Sequence, residues 1–125
     1  MARLGAFGTG PIASARTFDL AQRLDVPGGP QAIPTPGHTG GSAAYHFPEL
    51  DALFTGDALV TQDAFTGEVG PRIVCRAFTE DSAAALDSLR TLAATGAGTV
   101  LLGHGDPATG GISAAVDSAR RAGIS

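Results

Sequence analysis

The sequence predicts a layered α/β domain of the α+β kind, with a small sheet packed against helices. Three observations carry this. Local patterns run strand, strand, loop, helix, strand, helix along the chain. Residues 79–94 place Leu86, Leu89, Leu92 and Ala93 at spacings of three and four, a helical stripe. Thr99 to Leu102 is a short apolar run between glycines, the pattern of a buried strand.

The N-terminal stretch 1–15 is rich in Gly, Ala and Ser and has no period, so it reads as irregular. Residues 17–25 predict a short helix, with Phe18, Leu20 and Leu24 roughly on one face. Val26-Pro-Gly-Gly-Pro30 is a turn cluster. The chain thus divides into an irregular or short helical segment, 1–25, and a domain, 26–125. Gln31 to Thr35 predicts a strand, and Pro34 places it at a sheet edge. Residues 36–41 are a loop. Residues 42–47 and 52–55 predict a hairpin closed by Pro48–Asp51. Residues 58–72 hold turn residues without periodicity and read as a long excursion loop. Ile73 to Ala77 predicts a short strand. The helix 79–94 takes Thr79 as its N-cap, with Glu80 and Asp81 in its first turn, where negative charge is favoured. Residues 112–121 form a last helix that ends on two arginines. No internal repeat is evident.

Composition narrows the function. The 125 residues fit one domain with a core of moderate size. Eighteen glycines and 8 prolines against 6% aromatics mean many turns and few bulky core fillers. A net charge of −4 with no basic run excludes a nucleic-acid footprint. The single Cys75 excludes an internal disulfide and any cysteine-only metal cluster. No apolar stretch is long enough to span a bilayer. Glycines and Pro11 interrupt the faintly signal-like N-terminus, so a cytoplasmic protein is the default expectation.

The chemistry gathers at His38, Asp57 and His104. Each sits beside a glycine and follows, or nearly follows, a predicted strand. Loops held by a rigid sheet are where functional side chains concentrate. Imidazole and carboxylate are normal zinc ligands, and two histidines with one aspartate leave a position open for water. Each motif alone also reads as an ordinary turn, and spacing does not prove that the three converge. His46 reads as a sheet-packed histidine, with Tyr45 and Phe47 facing the other way. Asp63, Glu68 and Arg72 lie in the long loop after Asp57 and read as solvent-facing polar side chains. Thr39 and Ser42 are suited to orienting the loop around His38. Asp106 reads as a turn residue and Cys75 as a buried, inert thiol. No dinucleotide fingerprint or Ser-His-Asp arrangement is indicated.

Taken in order, Thr35-Pro-Gly-His-Thr-Gly-Gly-Ser42, Leu53-Phe-Thr-Gly-Asp57 and Leu102-Gly-His-Gly105 resemble three successive motifs of the metallo-beta-lactamase-fold hydrolases. The likeness runs from about Val26 to Val116. It implies a partial alpha-beta/beta-alpha sandwich, the second half of that fold, with a metal site at the edge of its sheets. By resemblance, His38 belongs to the first metal's ligands, Asp57 is the bridging carboxylate, and His104 completes the second metal's set. Asp57 then acts with a metal-activated water as nucleophile. Zinc is the implied metal, with iron used in some branches; no other cofactor is implied.

The departure is as informative. The family's His-x-His-x-Asp-His stretch is absent, and residues 1–25 contain no histidine. The expected function is therefore a zinc-dependent hydrolase-like domain that looks truncated, binds at most one weakly held ion, and is weakly active or inactive alone on an unidentified small-molecule substrate. The alternative is a non-catalytic interaction module. In that reading an exposed sheet face is covered by a second copy or by a separate N-terminal half.

Overall fold

The computed structural model describes residues 10–19 and 21–125. Its main sheet has four strands in the order β1 (Gln31–Pro34), β2 (Ala43–Phe47), β3 (Ala52–Phe54), β6 (Thr99–Leu101). The first two pairings are antiparallel, and β3 pairs β6 in parallel. The predicted hairpin is β2–β3, closed by a 3-10 turn at Pro48–Leu50 with Asp51 in the left-handed region. Pro34 lies on an edge strand, as expected, where the sheet can spare its missing N–H.

Helices α1 (Ser82–Ala93) and α2 (Gly111–Ala122) cover one face of this sheet and touch each other. Ala44, Leu53 and Val100 point into the core from the sheet. Ala85, Leu89 and Leu92 of α1 meet them, with Ile112, Ala115, Val116 and Ala119 of α2. Burying one such leucine contributes about 1.5–3 kcal/mol. The predicted stripe is present, with Leu86 and Ala93 at its partly buried margin.

The other face carries Ala32, Tyr45, Phe54 and Leu101 in one row across the strands. His46 points the opposite way from Tyr45 and Phe47, as alternation requires. Phe18 leans on Tyr45, with ring centroids 6.4 Å apart. Phe54 remains 46% exposed.

Four local expectations are corrected. Residues 17–19 and 21–25 form no helix; Leu20 lies outside the described residues. Arg23 instead bridges Gln31, and Ala21 N–H donates to Ala32 O at 2.7 Å. A helix this short is marginal in water, and the open edge of β1 offers its backbone better partners. The excursion loop holds two strands, β4 (Val60–Gln62) and β5 (Val69–Arg72), paired antiparallel with an irregular register. Gly70 and Pro71 in β5 hide it from a reading based on alternation. Residues 73–75 are buried but not a strand, and Arg76–Phe78 is a 3-10 turn. Finally, α1 starts later than expected and is capped by Asp81, whose carboxylate accepts from Ala84 N–H. Thr79 donates its hydroxyl to Val74 O instead. Among the described residues no helix is long and apolar enough to cross a membrane.

Candidate functional site

His38 stands in the loop after β1, and the start of α1 holds that loop. Asp81 N–H donates to Gly37 O at 2.9 Å and Glu80 N–H to His38 O at 3.2 Å. The Glu80 carboxylate accepts from Gly40 N–H at 2.8 Å, and Ser88 Oγ donates to Pro36 O at 2.7 Å. Gly37 has φ +143, and a Cβ there would strike the backbone of Ala85. Only glycine lets loop and helix approach this closely. Thr39 and Ser42 join through their hydroxyls at 2.8 Å and steady the loop as the sequence suggested.

Asp57 lies in the 3-10 turn Gly56–Ala58 at the end of β3. Buried Thr55 anchors it, donating its N–H to Leu101 O and its hydroxyl to Leu59 O, both at 2.9 Å. His104 follows β6. Gly103 N–H donates to Gly56 O at 2.9 Å, and His104 O accepts from Thr61 N–H at 3.0 Å. A Cβ on Gly103 would collide with the Asp57 carboxylate, so this glycine lets the last loop close on the aspartate. The parallel β3–β6 pairing brings the two strand ends side by side although they are 47 residues apart.

The three predicted residues converge. His104 Nδ1 is 2.9 Å from Asp57 Oδ1, and His38 Nε2 is 3.6 Å from Asp57 Oδ2. An ionised carboxylate only accepts, so His104 Nδ1–H is the donor. In the neutral ring this leaves Nε2 with its lone pair. His38 Nδ1 is buried without a hydrogen-bond partner, and 3.6 Å is too long for a hydrogen bond from Nε2. Neither nitrogen of His38 is therefore committed. These side chains, with Val60, Ala64, Phe65 and Val74, line a cavity of about 90 Å³.

Two imidazoles and a carboxylate with uncommitted lone pairs fit one zinc or iron ion in donor chemistry. The imidazoles each approach a separate oxygen of the carboxylate rather than one shared point. Among the described residues, no group of three or more His, Cys, Asp or Glu side chains is already arranged to hold a metal ion.

The remaining candidates lie elsewhere. His46 lines a separate groove with Gln31, Ile33 and Thr91. Cys75 is buried, as expected. Arg72 pairs with Glu68 and donates to Val69 O and Gly70 O, and it does not line the cavity. Asp106 accepts from Thr61 through its backbone oxygen. Asp63 is the surprise: it is 1% exposed. Its Oδ1 accepts from Phe65 N–H and Thr66 N–H at 2.9 Å each, and its Oδ2 from Cys75 N–H at 2.7 Å. Burial pushes its pKa up, but the backbone N–H groups of Thr66, Cys75 and Phe65 outweigh it and lower the value to about 2. The Asp-x-Phe-Thr-Gly pattern is the signal that marks such a turn.

The family model of the metallo-beta-lactamase superfamily matches residues 5–104. The match begins well before the motif-bearing stretch that starts near Val26. TTHA1429, a metallo-beta-lactamase family protein from Thermus thermophilus, aligns with a TM-score of 0.63 and 28% identity, over 90% of this chain and 35% of its own. TTHA1623, solved in a di-iron-bound form, aligns with a TM-score of 0.61 and 27% identity, over 87% of this chain and 49% of its own. The chain spans less than half the length of either. No curated protein matches it.

Proposed function

Because this chain belongs to the metallo-beta-lactamase superfamily, we propose that His38, Asp57 and His104 hold a single, weakly bound metal ion and serve a hydrolytic reaction on a small-molecule substrate. The observation that carries the reading is the convergence of both imidazoles on the two oxygens of Asp57. Asp57 supplies the negative charge between the two imidazoles. His38 supplies the second nitrogen from a loop that α1 keeps in place. Val60 and Val74 give the cavity an apolar lining. The chemistry such an ion supplies, when bound, is Lewis-acid polarisation and a water nucleophile at neutral pH. Zinc is the first candidate from the donor set; the di-iron form of TTHA1623 supports iron as the second. Three ligands with no further His nearby favour one ion, held weakly, and slow hydrolysis by this chain alone.

Calorimetric titration of the metal-free chain with zinc tests the proposal, repeated with ferrous iron under anaerobic conditions. Saturable binding near one ion per chain is expected, lost in Asp57→Ala and weakened at least tenfold in His38→Ala and His104→Ala. Absence of saturable binding by either metal, or binding unchanged in all three variants, would falsify it.

One observation favours a second reading. The sheet face opposite the helices is apolar, and Phe54 on it stays exposed. This supports a module that pairs with another chain through that face.

A further inference from the structure

We propose that Thr61 is a positioning residue for His104: its N–H and its hydroxyl fix the loop 103–106 so that the imidazole stays on the Asp57 carboxylate. The inference rests on the metal reading above and assigns what holds one of its ligands.

The need for such a hold starts in the sequence. His104 stands between Gly103 and Gly105. Glycine on both sides gives the backbone its widest freedom. Packing removes little of that freedom, because the His104 side chain is 50% exposed. The contact between Nδ1 and Asp57 therefore depends on where the backbone puts the ring. Ligand groups need to be held within about 0.5 Å of their working geometry.

Hydrogen bonds supply what packing does not. On one flank Gly103 N–H donates to Gly56 O at 2.9 Å, in the turn that carries Asp57. On the other flank stands β4. Thr61 N–H donates to His104 O at 3.0 Å. Thr61 Oγ1 donates to Asp106 O and lies 3.4 Å from His104 O. Gly105 comes so close to β4 that a Cβ on it would strike Thr61 Oγ1 and Gln62 N. Among the described residues, Thr61 is the one side chain that hydrogen-bonds the backbone of residues 103–106.

One short strand thus serves the site in two ways. Successive residues of a strand point to opposite faces. Val60 is buried and lines the cavity, while Thr61 does not line it and meets the loop instead. Thr61 acts on the site only through the backbone of His104 and Asp106.

Removing the hydroxyl alone tests the proposal. Thr61→Val keeps the branched shape that suits a strand and deletes the donor; Thr61→Ser restores the donor. The first readout is the ring-nitrogen NMR signal of the metal-free chain at about pH 8.5, above the ordinary histidine pKa of about 6.5. His104 should be the Nδ1–H tautomer in the unaltered chain and in Thr61→Ser, and a mixture of tautomers in Thr61→Val. His46, in its separate groove, is the internal reference. The second readout is zinc affinity by calorimetry. Thr61→Val should bind zinc about three- to tenfold more weakly, the effect of one net hydrogen bond, and Thr61→Ser within about twofold of the unaltered chain. Thr95→Val controls for general destabilisation. It removes a hydroxyl bond to Leu92 O at the end of α1, outside the cavity, and should leave both readouts unchanged. A His104 tautomer or a zinc affinity unchanged in Thr61→Val, equal losses in Thr95→Val, or a folded Thr61→Ser that behaves like Thr61→Val would overturn the proposal. So would a His104 of the unaltered chain in the other tautomer. Should Thr61→Val not fold, amide hydrogen exchange on the unaltered chain decides. Thr61 N–H should be protected, as a stable bond to His104 O requires; exchange at the rate of an unstructured chain would sink the clamp. The tautomer and exchange readouts need no metal, so failure of zinc to bind defeats the metal centre and leaves the hold on His104 standing.

Discussion

Asp63 shows how one side chain can organise a region that carries no obvious pattern. Three backbone N–H groups converge on a carboxylate that is 1% exposed. Asp63→Asn keeps an oxygen for Phe65 and Thr66 but turns an NH₂ toward Cys75 N–H. A buried donor left without an acceptor costs about 1–3 kcal/mol, and chemical denaturation at pH 7 should register that loss. The pH dependence has a definite sign. The folded pKa of about 2 lies below the ordinary 3.8, so the unfolded chain binds the proton more readily. The stabilisation is then complete above pH 3.8 and is lost as the pH falls through 2. The difference in stability between the native chain and Asp63→Asn should narrow across that interval; a constant difference from pH 5 to pH 2 would contradict the role assigned to the carboxylate. At His38, Asp57 and His104 the sequence was more legible. Glycine beside His38, Asp57 and His104 pointed to tight turns. Two of those glycines, Gly37 and Gly103, stand where a Cβ would strike Ala85 or Asp57.

At the scale of elements, α1 does two jobs. Its stripe of Ala85, Leu89 and Leu92 enters the core, and its N-terminus carries the His38 loop. The predicted cap failed by two residues for a tertiary reason. The N–H groups of Glu80 and Asp81 bond to His38 O and Gly37 O, so the helix begins only after those contacts are made. Asp81→Ala removes the acceptor for Ala84 N–H. The expected cost is about 0.5–2 kcal/mol in a thermal melt, together with weaker zinc binding, because the loop loses its firm support. Unchanged metal affinity in a destabilised Asp81→Ala would separate the helix from the site. The hairpin β4–β5 teaches the opposite lesson. Its short, irregular strands carry Gly70 and Pro71 and acquire their pairing only in the folded chain. Local propensity had no means of marking them.

At the scale of the molecule, the two sheet faces differ. One packs Leu53 and Val100 under both helices, while the other presents Tyr45, Phe54 and Leu101 in a row. Alternation in β2 made the orientation of His46 against Tyr45 and Phe47 readable in the sequence; the uncovered face was expected only from the likeness to half of a two-sheet fold. Exposed apolar rows of this kind mark contact surfaces. If that face pairs with a second copy, light scattering after size exclusion should find a dimer at tens of micromolar, converted to monomer by Phe54→Lys. A monomer at every concentration would count against self-association.

The layered class, the β2–β3 hairpin and the stripe of α1 were legible in the sequence, which also singled out His38, Asp57 and His104 as candidates. Each of these rests on spacing within a few residues or on a short motif. That the two imidazoles meet on the Asp57 carboxylate follows from the folded chain, because His104 reaches Asp57 through the parallel β3–β6 register across 47 residues. The tertiary structure alone turned Asp63 from a loop polar residue into a buried anchor, since burial depends on what packs above a residue. It alone set Ala21 and Arg23 against β1 where a helix was expected, because β1 offered backbone partners that no local pattern could reveal.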